Sequence, residues 1–208
     1  MTACQKEEMS LTDALERLRR AQVIREEVSK PTYSFTHPML QEVLYEDIPL
    51  EMRRGLHRQV GEAIERLCAG RTDPMAEVLA HHFSEGKEVE KAILYLKEAG
   101  DRAAELYAIS SAIASYEKAL RLIQVHRLTP YTQGDRLPVY LDLLCNCAYV
   151  LRLAGRREEA CKNADLVLKL AVTRDTACQR AKAMTIMSNI YWHHGEGDKA
   201  IGVARKAQ

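Results

Sequence analysis

The sequence predicts a mainly α-helical protein: helical hairpins stacked into an α-solenoid, preceded by a small unit with a short two-stranded hairpin. Three observations predict it. First, one packing pattern recurs: a small residue, a bulky one three later, Ala twelve later, and further packing residues at sixteen and nineteen. Ala80, Phe83, Ala92, Leu96 and Ala99 fit it, as do Gly100, Ala103, Ala112, Tyr116 and Ala119. So do Ala148, Leu151, Ala160, Ala164 and Val167, and then Ser188, Tyr191, Ala200, Ala204 and Ala207. Second, Gly86, Gly155 and Gly195–Gly197 stand where paired helices must turn. Third, the chain before residue 70 does not follow the pattern and alternates helical and strand-like runs.

The elements follow in order. Residues 1–8 are polar and read as loose. Ser10 is the expected N-cap of the first helix, with Asp13 three residues on. Leu11, Ala14, Leu15, Leu18 and Ala21 recur at helical spacing, and Arg17, Arg19 and Arg20 suit the negative end of its dipole. Val23-Ile24 and Tyr33-Ser34-Phe35 read as two strands joined through Ser29-Lys30-Pro31. Helix, two-stranded wing and helix make the end of a winged-helix unit. The earlier helices of such a unit are not in the sequence, so the chain is expected to begin inside a domain. A winged helix can dock in DNA, but Asp13, Glu16, Glu26 and Glu27 offset the arginines, and phosphate contacts need a basic surface. The unit reads as a packing module, not a nucleic-acid binder.

Pro38 opens the next helix, with Met39, Leu40, Val43 and Leu44 as its expected buried face. His37 then falls at or beside its N-cap, next to free N–H groups that favour an anion. Pro49 starts a helix to about Leu67, with Leu56, Val60, Ala63, Ile64 and Leu67 as its stripe. Gly70 is its expected C-cap, and Asp73-Pro74 begins the next helix. Residues 1–70 form one expected domain and residues 71–208 the helical repeats.

The offsets of those repeats are those of the tetratricopeptide repeat, where close helix packing demands small residues at fixed places. The Ala92–Ala112 interval is short, so one long helix around residues 88–107 is expected to serve both neighbours. His126–Pro138, with Pro130, Gly134 and Pro138, reads as a loop. The last copy stops at Gln208 without a polar capping helix, which predicts a truncated final repeat and either self-association or fraying over residues 181–208. The first helix of each pair lines the groove of such an array. Tyr149, Arg152, Asn189 and Trp192 are the expected groove-facing residues.

Composition removes several classes. The chain is 47% hydrophobic and 28% charged with a formal net charge of +1, so no overall field recruits nucleic acid or membrane. No apolar run is long enough to span a bilayer, and the first residues lack a signal-peptide core. Six scattered cysteines read as reduced thiols of a cytoplasmic protein. His81-His82, His193-His194 and Cys145-x-Cys147 point their members about 100° or more apart on a helix, so none chelates a metal from one face. His57 is assigned no chemistry. No G-x-x-x-x-G-K-[ST] loop and no nucleophile–base arrangement occurs, so the chain is expected not to be an enzyme, with no cofactor of its own.

One segment carries a resemblance. Phe35-x-His37-Pro38-Met39-Leu40-x-Glu42-Val43-x-Tyr45, followed by Arg53 and Leu56-His57, resembles a segment of bacterial multidomain signal-transducing ATPases. These are similar to the maltose-regulon activator class and include proteins fused to nucleotide cyclases. The resemblance covers roughly residues 10–120. It implies a P-loop ATPase, a winged helix and a tetratricopeptide array in one polypeptide, with this chain as the downstream part. It implies that His37 touches the phosphates of ADP in that parent, although Pro38 stands where relatives carry Asp. ATP or ADP and Mg would belong to the parent. The function so implied is a regulatory module whose groove binds a protein, a peptide or an inducer and biases the nucleotide switch. The alternatives are a free-standing tetratricopeptide adaptor and the regulatory arm of a nucleotide cyclase.

Overall fold

Helical periodicity dominates the sequence, and in a computed structural model it becomes ten α-helices and one two-stranded antiparallel sheet among the described residues, 3–27, 32–68, 70, 72–128, 131 and 135–206. The chain divides into two compact units, Met1–Arg54 and Gly55–Gln208.

The first unit holds α1 (Ala3–Arg20), β1 (Ile24–Glu26), β2 (Tyr33–Phe35), α2 (Pro38–Asp47) and the start of α3 (Leu50–Cys68). The strands pair Ile24 with Phe35, Arg25 with Ser34 and Glu26 with Tyr33. The Thr36 hydroxyl donates to the Gln22 carbonyl at 2.6 Å and fastens the hairpin base to the end of α1. The expected turn at Ser29-Lys30-Pro31 lies outside the described residues. Two expectations need correction. Helix α1 begins at Ala3, so Ser10 is interior rather than capping. Met39, Leu40, Val43 and Leu44 are all exposed, Met39 at 74%, and none of α2 is buried. Two three-residue strands are too small to cover that row.

The second unit begins within α3, upstream of residue 70, because the later residues of α3 pair with helices further along. Its own stripe is the third correction, in part: Leu56, Val60 and Leu67 face solvent, Leu67 at 84%, while Ala63 and Ile64 are half-buried, Ile64 against the core, and Gly61 is the buried residue. A Cβ on Gly61 would lie 3.0 Å from the Phe83 ring, so glycine permits the close approach.

After short 3₁₀ turns come α4 (Ala76–Glu85), α5 (Val89–Glu105), α6 (Ile109–Val125), α7 (Leu137–Leu153), α8 (Arg157–Leu170), α9 (Ala177–His193) and α10 (Gly197–Lys206). Three-residue connections force α4–α5, α5–α6, α7–α8 and α9–α10 into antiparallel pairs, and α5 packs on both α4 and α6. Pro138 sits in the first turn of α7 rather than in the preceding loop, where it needs no N–H partner. Pro130 and Gly134 lie outside the described residues. The recurring small and bulky positions form one core: Ala80, Phe83, Ala92, Leu96, Ala112, Tyr116, Ala119, Ala148, Leu151, Ala160, Ala164 and Val167 are buried.

The helix ends share one device. Gln22, Lys87, Tyr107, Arg127, Gly155 and Gly195 have φ between 46° and 76°. In each case the next amide bonds back to the carbonyl five residues earlier: Val23 to Leu18, Glu88 to Phe83, Ala108 to Ala103, Leu128 to Ile123, Arg156 to Leu151 and Glu196 to Tyr191. This is the Schellman ending. Gly86 has φ −71° and is small for another reason, since a Cβ there would meet the Arg58 backbone at 3.1 Å. No helix among the described residues is long and apolar enough to cross a membrane.

Candidate functional site

The first helices of two successive pairs, α7 and α9, enclose a groove cavity of about 430 Å³ lined by Cys145, Asn146, Tyr149, Cys178, Ala181, Lys182, Thr185 and Ile186. Helical spacing explains the lining. Cys145, Asn146 and Tyr149 share a face of α7; Cys178, Ala181, Lys182 and Thr185 share a face of α9. The opposite faces, with Ala148 and Ala183, enter the core.

The polar groups at the groove are held by their neighbours. Lys182 Nζ donates to Asp142 Oδ1 at 3.0 Å and ties α9 to α7. That bond comes first in raising the Lys182 ammonium above its ordinary value. Asn146 Nδ2 donates to Asp101 Oδ1 at 2.8 Å, and Asp101 also accepts from Tyr116 Oη at 2.6 Å and Lys97 Nζ at 2.6 Å. Desolvation, then the Asp101 bond, pushes the Tyr116 phenol far above its ordinary value. The Cys145 thiol donates to the Gln179 carbonyl at 3.4 Å, and burial followed by Asp142 pushes it up to about 12, so it is an inert wall.

Of the residues expected in the groove, Tyr149 lines the cavity. The Arg152 guanidinium lies 5.2 Å over the Tyr149 ring, one turn beyond the lining. Asn189 and Trp192 are exposed on α9 past the lining residues, Trp192 at 66%. The cavity therefore sits about a turn earlier on α9 than expected. Sequence reading missed Asp142 and Lys182; each stands six residues before a small position, Ala148 or Ser188, but only the pairing of α7 with α9 brings the two together.

His37 occupies the N-cap of α2 with extended backbone (φ −135°, ψ 131°) and no side-chain capping bond. It borders a cavity of about 560 Å³ with Arg19, Gln22, Ile24, Arg25, Glu26 and Thr36, all within the first unit. Two guanidiniums and an imidazole beside a helix start fit an anion such as a phosphate. Yet Arg25 Nε already donates to Ser34 at 3.1 Å, Arg19 lies 3.7 Å from Glu26, Pro38 has no N–H, and the Leu40 amide bonds to the His37 carbonyl at 3.0 Å.

The fold also joins residues that sequence reading kept apart. His57 of α3 meets His82 of α4 with Nδ1 atoms 3.0 Å apart, and the His81 ring stands 5.5 Å from both. Reading adjacent pairs singly could not find a cluster that needs two helices. Among the described residues no group of three or more His, Cys, Asp or Glu side chains is placed to hold a metal ion. No protein-family model and no curated protein matches this chain.

Proposed function

We propose that this chain is a protein-interaction module of the tetratricopeptide kind, and that it serves as the regulatory arm of a multidomain signalling ATPase in the cytoplasm. The observation that carries the reading is the α7–α9 groove, whose floor is apolar and whose polar rim is fixed in place. A groove with Tyr149 presented on a rigid helix pair suits a peptide or a protein segment, because little side-chain entropy remains to be lost on binding. The antiparallel pairs, the small residues at repeat offsets and the short hairpin ahead of them support the architecture. His37 and its arginine neighbours support an anion-sensing role for the first unit within a parent that carries ATP or ADP and Mg. Differential affinity of the partner for the two nucleotide states would supply the switch. In this reading the chain catalyses nothing itself, and the exposed last helix pair offers a face for self-association.

Selection from a random peptide display library on the full chain tests the groove. Peptides bearing apolar anchors are the expected enrichment. Tyr149→Ala should weaken their binding on the order of tenfold or more, as truncating a buried aromatic anchor does, while Tyr107→Ala, in a connection outside the groove, should not. A library without enrichment, or binders indifferent to Tyr149→Ala, would end the reading.

A further inference from the structure

The three-histidine cluster on α3 and α4 is not used by the groove, and its geometry is unusual. A 3.0 Å Nδ1–Nδ1 approach requires one ring to donate and the other to accept, so at least one imidazole must carry an unprotonated Nδ1. The two rings lie 5.1 Å apart between centroids and are tilted by 44°. They cannot drift apart freely, because the backbones are held nearby. Gly86, at the end of α4, nearly touches the Arg58 backbone, and Gly61 lies against the Phe83 ring.

We propose that His57 and His82 form an acid-released latch that fastens α3 to α4. One proton can be shared between the rings. A second would set two N–H groups and two positive charges against each other at hydrogen-bond distance, with His81 adding a third imidazole. Two ion pairs on the packed elements leave these rings aside. Arg58 of α3 pairs with Glu88, ahead of α5, at 3.2 Å. Lys91 of α5 reaches Glu65 at 2.6 Å and lies over the Phe83 ring. His82 stands in the last turn of α4, where the helix dipole favours a cation. Desolvation first, then His57 and His81, outweighs that and holds its pKa below the ordinary value.

The sign follows. A histidine whose latched pKa is lowered binds fewer protons latched than free, so the latch is at full strength above the free value of about 6.5 and weakens as pH falls below it. Amide hydrogen exchange on the full chain, corrected for intrinsic rates, reads this directly. Protection in the later part of α3 should fall on the order of tenfold per pH unit below about pH 6.5, if opening takes up one proton. Protection in α7, which carries no histidine, should not follow. His57→Asn keeps a hydrogen-bonding side chain that cannot charge, and should leave α3 protection flat with pH. Protection that is pH-independent in the native chain, or equally pH-dependent in His57→Asn, overturns the latch. Should the variant fail to fold, NMR titration of the native imidazoles decides: coupled midpoints with His82 below the free value support it, and independent ordinary midpoints refute it.

Discussion

At Gly100 the side chain that is absent does the structural work. A Cβ there would lie 2.5 Å from Tyr116 Cε1 and 2.8 Å from Cδ1. Tyr116 is 1% exposed and its hydroxyl is bonded to Asp101, so its ring has no place to swing. Helix propensity alone would reward Gly100→Ala by about 1 kcal/mol, whereas overpacking costs about 1–3 kcal/mol. The overlap should win, and the urea midpoint should fall; a midpoint that rises would mean the ring yields. Gly100 was legible, because it occupies the small position of the repeat offsets. The left-handed residues Lys87, Tyr107 and Arg127 were not. Their side chains give no sign of a positive φ, and the hydrogen bond that imposes it runs from the next residue's amide to a carbonyl four positions before the left-handed residue.

At the scale of the element, α3 turns only part of its apolar stripe inward, with Ile64 against the core. Leu56, Val60 and Leu67 are exposed, while Glu65 turns inward to accept from Lys91 at 2.6 Å and from Tyr95 at 2.6 Å. Burial raises the Glu65 carboxyl, but the bonds from Lys91 and Tyr95 together outweigh it and leave the pKa below the ordinary value. The linkage runs opposite to that of the histidines in mechanism, yet in the same direction with acid. A depressed carboxylate contributes stability above its unfolded pKa of about 4.3, and that contribution is lost as pH falls through the folded value. Glu65→Gln should therefore lower the urea midpoint at neutral pH and make the remaining stability less sensitive between about pH 5 and 3. An unchanged acid profile would show that the triad carries no net charge linkage. Periodicity located α3 within a residue or two, because Pro49 and Gly70 bracket it. It could not orient α3, because the deciding contacts, Gly61 with Phe83 and Glu65 with Tyr95, depend on which helix lies opposite.

For the molecule as a whole, the order of helices was readable and the joints between them were not. Small residues at fixed offsets announce which helices pair. The bonds that fasten one pair to the next, Asp101 to Asn146 and Asp142 to Lys182, join polar residues that look like solvated surface when read along the chain. The groove was legible for the same reason and to the same degree: Tyr149 is found by its repeat position, and Lys182 only once its partner is known. Helix α5 packs on α4 with one side and on α6 with another, α6 packs on α7, and α9 packs on both α7 and α8. The packing is thus continuous from α4 to α10. Excising residues 137–170 removes one whole pair, and with it the α7 surface that α6 packs on and the seat of α9. Excising α4 with α5 strips α6 of its other neighbour. Changes in the number of helix pairs, whether by recombination in nature or by cutting and splicing in the laboratory, are therefore expected to be tolerated only where the newly joined faces carry matching small and bulky residues.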